Sequence, residues 1–532
     1  MDPELLDLLR DDLASADYRL ASVRSLLGAP ADEARSRGVL LPARRVLSGR
    51  EESQLGALIR LFMLGDALSG DELDRAFPSL GAEGAASLGI VGQRTVERSD
   101  AGGFHAALSL GAVELPDPAS EAAAAKADWW LLSDLDDHLR GGPARPDHVM
   151  GVGGATRSLL AQAPIGDGAP VPRSAFDLGT GCGVVALQLA RAGVPRVVAT
   201  DVSERALDLA RANARLNGAQ ISGFEERIEF RLGNLFDPVA DERFDLILSN
   251  PPFVITPRGD EAAPVYEYRD AGLRGDELAE RVVREGPALL RPGGTLLCLA
   301  NWEHPWGGNG LDRVRGWIED AQTAAGPLAG WAIERDRLDP VRYAETWARD
   351  GGSRPGEDRF DALMSAWADD FAARRIAAIG LGAVRVRRED RSAPIRVEHV
   401  SDPFSEAPGP ALGLMLDAAF DAGVSASRMS AAEMLGTRWL LDEAVEEVRA
   451  HFPGQEAPRS IVLRTDRPIS RSVAADPLLA AAVGACDGEL SLGQIAGALA
   501  EIFEVAESAV ADALIEGVRE LAWFGMLTAA DR

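Results

Sequence analysis

The chain has 532 residues, enough for about three domains of ordinary size, and 46% of them are hydrophobic, enough for packed cores. Its net charge of −28 argues against tight, non-specific binding to nucleic acid, because such binding needs an excess of Lys and Arg. Cys182, Cys298 and Cys486 are too scattered for a disulfide framework or a zinc site, and the histidines lack metal-ligand spacing. No stretch reaches the roughly 18 apolar residues of a membrane helix, and the N-terminus is acidic. We therefore predict a cytoplasmic protein with no metal and no membrane partner.

Residues 1–145 are predicted to form an N-terminal accessory domain. Segments 2–27 and 51–64 have apolar residues at helical spacing, and Ser69 followed by Glu72 is the capping-box pattern of a third helix. The alternating stretch 95–115 then indicates a hairpin. This order is typical of a winged-helix-like domain, and its acidic balance favours a protein-binding or structural role over DNA binding.

Residues 146–392 alternate apolar strands with amphipathic helices, which predicts an α/β domain with helices on both faces of a sheet. The candidate strands are 174–178, 196–201, 227–232, 244–250 and 294–301, with a late strand at 383–390.

Residues 393–532 are predicted to form a third, C-terminal unit. Segment 442–452 has helical spacing, and a strand, a turn and further helices follow it. We interpret this unit as a second winged-helix-like α+β domain that is too acidic to bind DNA.

The strongest local signal is a glycine-rich bend between a strand and a helix. The strand ends at Asp177 and Leu178, and glycines follow at alternate positions, so that the bend comprises Gly179, Thr180, Gly181, Cys182 and Gly183. Glycines let a ligand approach the backbone closely, as in dinucleotide-binding turns. An acid before the glycines would repel a pyrophosphate but suits a cationic ligand such as S-adenosylmethionine, which has an ammonium and a sulfonium group. The alternative is a glycine turn without a ligand.

Two later strand ends supply further cofactor candidates. Asp201 ends the second strand, where a carboxylate can accept hydrogen bonds from both ribose hydroxyls, although it could instead cap the next helix. Asn234 and Leu235 follow the third strand, where the amide can bond the edge of adenine. An Asn in a turn also needs no ligand to explain it.

The second strong signal is an apolar strand that ends in Asn250, Pro251, Pro252 and Phe253. Ligands bind at the carboxyl edge of such sheets, and the two prolines stiffen the backbone there. The Asn250 side-chain oxygen and the Pro251 carbonyl can accept the two hydrogens of an NH2 group, while Phe253 can stack on a planar amide or base. A structural turn would explain the prolines alone, but not the flanking Asn and Phe.

A third candidate follows the strand at 294–301. Trp302, Glu303 and His304 could line an acceptor pocket, with His304 taking a proton. The alternative interpretation is a packed loop that carries a solvated histidine.

In order and spacing, residues 146–300 resemble the class I methyltransferases that methylate nitrogen, above all the release-factor glutamine methyltransferases and the small-domain rRNA guanine methyltransferases. The segment 268–296 also resembles the region that follows the same motif in the glutamine enzymes. The resemblance implies a Rossmann-like, mostly parallel seven-stranded sheet. It also implies that the glycine bend, Asp201, Asn234 and Leu235 bind S-adenosylmethionine, and that Asn250 to Phe253 bind the acceptor. Phe253 stands where the glutamine branch prefers Tyr, and both flanking domains differ.

Three functions are consistent with these patterns. The overall acidity and the likeness to the glutamine enzymes favour methylation of a protein amide. Methylation of an exocyclic amine in RNA or DNA uses the same motif, and a non-catalytic scaffold would keep only the fold. A small-molecule acceptor also remains open, with the flanking domains acting as lids.

Overall fold

A computed structural model of the chain describes residues 1–49, 53–94, 103–120, 125–140, 145–166, 168–218, 223–257, 273–405 and 411–530. Among these residues, no helix is both long enough and apolar enough to span a bilayer.

The N-terminal part is mostly helical. Its helices are α1 (Pro3–Ser15), α2 (Leu20–Leu27), α3 (Ala29–Ser36), α4 (Leu41–Leu47), α5 (Gln54–Phe62), α6 (Gly70–Ala76) and α7 (Gly81–Ser87). The predicted capping box is confirmed, because Ser69 and Glu72 bond each other's backbone N–H groups at the start of α6.

Two hairpins and a short helix follow: β1 (Val91–Arg94) with β2 (Gly103–Ala106), β3 (Ser109–Pro116) with β4 (Lys126–Ser133), and α8 (Asp137–Arg140). Residues 95–102 of the predicted hairpin lie outside the described residues. The helices outnumber the three predicted, and the winged-helix interpretation stays a prediction.

The central part alternates helices and strands. In chain order the elements are α9 (Gly154–Gln162), β5 (Ala175–Leu178), α10 (Val184–Arg191), β6 (Val197–Asp201), α11 (Glu204–Gly218), β7 (Ile228–Leu232), β8 (Phe244–Ser249), α12 (Glu277–Glu285), β9 (Leu290–Pro305), α13 (Gly310–Ala325), β10 (Leu328–Leu338), α14 (Pro340–Asp350), α15 (Asp358–Arg374), β11 (Ile376–Arg388) and β12 (Ile395–His399). Short 3-10 turns lie at Glu225–Arg227, Asp237–Val239 and Gly286–Leu289.

These strands form one mostly parallel sheet in the order β12-β10-β11-β9-β8-β5-β6-β7. Only β11 runs antiparallel to its two neighbours. Among the described residues the sheet has eight strands where seven were expected, because β12, just beyond residue 392, pairs in parallel with β10. β5 lies between β8 and β6, so the chain crosses over there, and a ligand crevice forms at such a point in open α/β sheets.

The sheet is covered on both faces. Leu297 and Leu299 of β9 belong to the hydrophobic cluster with α9, α10 and α11, whereas the alternate residues Leu296 and Cys298 belong to the cluster with α12 and α13. Successive side chains of a strand point to opposite faces of the sheet. Because helices cover both faces, both sets of side chains are apolar and the strand sequences are continuous hydrophobic runs.

The C-terminal part contains α16 (Leu412–Arg428), α17 (Ala431–Gly436), β13 (Arg438–Leu441), β14 (Glu446–Ala450), β15 (Ser460–Thr465), β16 (Arg471–Ala475), α18 (Pro477–Gly484), β17 (Asp487–Ser491), α19 (Leu492–Phe503), α20 (Glu507–Trp523) and β18 (Leu527–Ala529). The predicted helix at 442–452 is wrong. Residues Glu446–Ala450 form a strand because they pair with Ser460–Thr465, and this pairing overrides the local helical spacing.

A buried arginine joins the C-terminal part to the sheet. Arg385 of β11 donates to Asp417 of α16 at 2.9 Å and to the carbonyl of Gln162 of α9 at 2.8 Å. Gly413 of α16 lies so close to α9 that an added Cβ would stand 1.9 Å from the Ala163 carbonyl oxygen. The two parts therefore pack backbone to backbone at this joint.

Trp302 and His304 lie within β9, which continues to Pro305, and they form a buried network instead of a loop. Trp302 Nε1 and His304 Nε2 contact Glu334 Oε2 at 2.7 and 2.6 Å, and Gly310 N donates to His304 Nδ1 at 3.0 Å. Burial alone would raise the pKa of Glu334, but its hydrogen bonds to His304, Trp302 and Arg337 outweigh burial and lower it. Neither the expected loop nor a solvated histidine is present.

His304→Ala should therefore destabilise the fold by about 2–4 kcal/mol, because it leaves a fully buried carboxylate with fewer donors. Urea unfolding followed by circular dichroism would measure the change. The matched control is His451→Ala, at an exposed position, which should change stability by less than about 0.5 kcal/mol. Equal stability of the two variants would contradict a structural role for His304.

Candidate active site

The glycine bend connects β5 to α10 in a conformation that requires glycine. Gly179, Gly181 and Gly183 have φ values of 77°, 54° and 88°, in the left-handed region that L side chains rarely adopt. Gly183 also touches α11, where an added Cβ would stand 2.8 Å from the Ala210 Cβ. The bend therefore brings its backbone to the carboxyl edge of the sheet with no side chain in the way.

Asp177, at the end of β5, accepts hydrogen bonds that stabilise this bend. Its Oδ2 accepts hydrogen bonds from Thr180 Oγ1 at 2.6 Å and from Ala186 N, in the first turn of α10, at 3.1 Å. The side chain is almost fully buried, and burial raises its pKa to about 7. Asp177 thus shapes the bend and places a carboxyl that titrates near neutral pH beneath it.

Asp201, at the end of β6, also accepts a hydrogen bond from the backbone of the bend. Its Oδ2 accepts from Gly181 N at 2.9 Å and its Oδ1 accepts from Ser203 N at 2.9 Å. Burial raises its pKa above the ordinary value for Asp. Ser203 Oγ accepts from Ala206 N in the first turn of α11, so Asp201 is not needed as the side-chain cap of that helix.

Asn234 and Leu235 follow β7 at the same edge of the sheet. Leu235 has a φ of 46°, which is uncommon for a residue other than glycine. Strained backbone of this kind is concentrated at ligand sites. Leu235 also packs against the core cluster of Phe236, so packing holds the strained turn in place.

The Asn250 side chain presents one end to a neighbour and leaves the other without a partner. Its Nδ2 donates to Thr156 Oγ1 of α9 at 3.1 Å. Its Oδ1 is buried and has no hydrogen-bond partner among the described residues. Buried acceptors are nearly always bonded, so an unpaired one indicates a place for a ligand donor.

The chain after Phe253 is anchored to two helices inserted between β10 and β11. Ile255 N donates to the Tyr343 hydroxyl of α14 at 2.9 Å, and Trp367 Nε1 of α15 donates to the Ile255 carbonyl at 2.8 Å. Asn301 Nδ2 donates to the same Tyr343 hydroxyl at 2.9 Å. These bonds fix where the Asn250–Phe253 segment leaves the sheet edge.

A cavity of about 310 Å³ joins these features. All the predicted cofactor and acceptor residues line it except Gly183. Its volume lies at the lower end of the range for small-molecule sites. The structure thus brings the glycine bend, both strand-end carboxylates and the Asn250–Phe253 segment to one cavity.

Sequence reasoning missed several parts of the lining, including residues of α9 and α12. Two further parts are the segment Asp147–Gly151 and, on α14, Trp347 and Asp350. Neither carries a motif. Tyr343, Trp347 and Asp350 recur at helical spacing on α14, which indicates one shared helix face but not what it faces.

The charged lining is mainly acidic. Asp147, Asp177, Asp201 and Asp350 line the cavity, and Arg281 is the one arginine or lysine among the described lining residues. Asp147 is paired with Arg145 at 2.9 Å, which offsets its charge. Arg281 pairs with Glu285 at 3.0 Å, which offsets its charge. The cavity is therefore suited to a cation or a neutral amide and opposes a phosphate.

Two negative results bear on other chemistry. Trp302, Glu303 and His304 do not line the cavity, so the interpretation of these residues as an acceptor pocket is wrong for this structure. Within the described ranges, no group of His, Cys, Asp or Glu side chains is arranged to hold a metal ion.

Comparison with known proteins gives two family matches. Residues 155–309 match the methyltransferase small domain, and residues 15–101 match a domain of unknown function.

Curated relatives match the same central part. The chain is 37% identical over 137 residues to the release factor glutamine methyltransferase of Geobacter sulfurreducens, covering 24% of this chain and 45% of that protein. It is 41% identical over 131 residues to the enzyme of the same name from Deinococcus radiodurans, covering 23% and 43%. It is 36% identical over 131 residues to the ribosomal protein uL3 glutamine methyltransferase of Bradyrhizobium diazoefficiens, covering 23% and 39%. The chain thus spans less than half the length of each of these relatives. The resemblance inferred from the motifs is confirmed, and residues 155–309 carry a methyltransferase small domain with the class I fold.

Proposed function

We propose that this protein transfers a methyl group from S-adenosylmethionine to the side-chain amide nitrogen of a glutamine in a protein. One observation carries the proposal: Asn250 lines the same cavity as the glycine bend, and its buried Oδ1 has no hydrogen-bond partner among the described residues. An amide N–H of the acceptor would complete the hydrogen bonding of this oxygen. The relatives that share the domain are named for glutamine methylation, which supports the same acceptor.

The residues of the cavity fit S-adenosylmethionine in charge and shape. The glycine bend would let the amino-acid part approach the backbone, with the Asp177 carboxylate nearby to attract its ammonium group. Asp201 would accept the ribose hydroxyls, and Asn234 would bond the adenine edge beside Leu235. No pyrophosphate has to be accommodated, which agrees with the acidic lining.

The acceptor amide would be held by the Asn250–Phe253 segment. Asn250 Oδ1 and the Pro251 carbonyl accept its two hydrogens, and Phe253 packs on its plane. S-adenosylmethionine supplies, when bound, an electrophilic methyl group on a sulfonium. The acceptor nitrogen would take this methyl group with its lone pair, the C–S bonding pair would remain on sulfur, and one N–H proton would pass to solvent. The two acceptors stabilise the positive charge that develops on nitrogen.

A protein acceptor is favoured over nucleic acid by the charge of the cavity. A nucleotide target brings phosphates with it, and the lining carboxylates of Asp177 and Asp201, which form no ion pair with an arginine or lysine among the described residues, would repel them. Both flanking parts are acidic, which also favours a protein acceptor over nucleic acid. We assign them to docking of the acceptor protein and keep the prediction that each is a winged-helix-like domain. A cytoplasmic location fits such an acceptor.

The deciding experiment is transfer of tritiated methyl from S-adenosylmethionine to an extract of the native cell, with the products separated into protein, RNA and small molecules. We expect label in protein, released as methylglutamine after proteolysis to amino acids. Label in RNA would contradict this proposal and would indicate methylation of a base amine instead. Absence of label with tight cofactor binding would favour a non-catalytic scaffold.

Asn250→Ala should reduce methyl transfer at least about 100-fold, because it removes a preorganised acceptor at the reacting nitrogen. The dissociation constant for S-adenosylmethionine should change less than about twofold, since Asn250 is assigned to the acceptor. Transfer assays and calorimetric titration separate the two effects. Gln455→Ala, at an exposed position outside the cavity lining, is the control and should keep both values. Equal losses of affinity and turnover would show that Asn250 is misassigned.

Affinity for S-adenosylmethionine should rise about tenfold between about pH 6 and pH 8. The pKa of Asp177 is raised to about 7, so this carboxyl is mostly neutral at the lower pH and mostly charged at the higher one, where it attracts the cation. Calorimetric titration across this range measures the trend. Asp177→Asn should bind weakly throughout and lose the rise. A rise of the same size in the variant would assign the pH dependence to the ligand.

A further inference from the structure

A buried asparagine of α11 holds the edge of the N-terminal strand β4. Asn213 Oδ1 accepts from Leu132 N at 2.7 Å, and Asn213 Nδ2 donates to the Leu132 carbonyl at 2.9 Å. The side-chain amide thus pairs with one residue as a neighbouring strand would. Asn213 is completely buried.

Asn217 does the same one helical turn later. Its Oδ1 accepts from Trp130 N at 3.0 Å, and its Nδ2 donates to the Trp130 carbonyl at 2.8 Å. Trp130 and Leu132 are two residues apart, so their backbone groups face the same edge of β4. Two side-chain amides therefore cover this strand edge.

The two asparagines differ in their third hydrogen bond. The second hydrogen of Asn213 Nδ2 goes to the Cys182 carbonyl at 2.8 Å, whereas that of Asn217 goes to the Asn213 carbonyl in its own helix at 2.8 Å. Cys182 belongs to the glycine bend and lines the cavity. Asn213 is thus bonded both to β4 and to the predicted cofactor loop.

A second link joins the end of the same strand to the cavity. Just after β4, Asp134 Oδ2 accepts from Val149 N at 2.8 Å, and Asp134 N donates to the Val149 carbonyl at 2.9 Å. Arg205 of α11 also pairs with Asp134. Val149 lines the cavity, so β4 is connected to the site at both Leu132 and Asp134.

We infer that Asn213 is a positioning residue that couples the docking of β4 to the cofactor-binding shape of the glycine bend. This inference rests on the proposed function. The side-chain amide of Asn213 uses both of its donor hydrogens and its oxygen. Loss of this amide therefore leaves buried backbone groups of Cys182 and Leu132 without partners. The bend then loses the bond that fixes the Cys182 carbonyl towards α11. Docking of the N-terminal part and binding of S-adenosylmethionine therefore strengthen each other, because such coupling is reciprocal.

The test compares Asn213→Ala with Asn217→Ala in the full chain, and Asn213→Asp with Asn217→Asp if an alanine variant does not fold. Both positions cover β4, but only Asn213 touches the bend. We expect the dissociation constant for S-adenosylmethionine, measured by calorimetric titration, to rise about tenfold for Asn213→Ala and less than about twofold for Asn217→Ala. Equal affinities in the two variants would overturn the inference while leaving the proposed function intact. Failure of the unaltered protein to bind S-adenosylmethionine would instead overturn the proposed function.

The unaltered protein offers a second measurement that needs no variant. Because coupling is reciprocal, saturation with S-adenosylmethionine should slow hydrogen exchange at the Leu132 amide, which bonds Asn213, more than at the Trp130 amide, which bonds Asn217. Equal exchange at Leu132 with and without S-adenosylmethionine would contradict the coupling.

Discussion

The central feature of this site is the buried side-chain oxygen of Asn250, Oδ1, which has no hydrogen-bond partner among the described residues. A buried acceptor without a partner costs free energy. In this site Asn250 Nδ2 donates to Thr156 Oγ1, but Asn250 Oδ1 has no partner among the described residues. A donor that enters the cavity and reaches this oxygen would remove the cost. Because the glycine bend opens onto the same space, that donor would lie beside whatever the bend holds.

The rest of the fold serves to hold this edge of the sheet. Asp177 and Asp201 use carboxylate oxygens to fix backbone N–H groups of the bend and its neighbours, and burial raises the pKa of both acids. The α14–α15 insertion anchors the Asn250–Phe253 segment through Ile255. The site is therefore supported by segments from well outside the matched methyltransferase region, which ends at residue 309.

The flanking parts are structurally continuous with the central one. The asparagine pair of α11 covers β4, and Arg385 bonds α16 and α9 together. In both joints, buried polar groups pair across the boundary, and such groups are costly to expose or to leave unpaired. The terminal parts are thus attached by specific hydrogen bonds as well as by apolar packing.

The central strands, the glycine bend and the Asn250–Phe253 segment could be predicted from local sequence patterns, because apolar periodicity, glycine freedom and proline stiffness act over a few residues. Local patterns failed where partners lie far along the chain. Segment 446–450 became a strand through pairing with 460–464, and the buried His304 of β9 contacts Glu334 of β10, which lies on the far side of β11 in the sheet. The roles of Asn213, Val149 and Trp347 could be seen only in the tertiary structure. Each is an ordinary residue of its own helix or loop, and only folding brings it to the bend or the cavity.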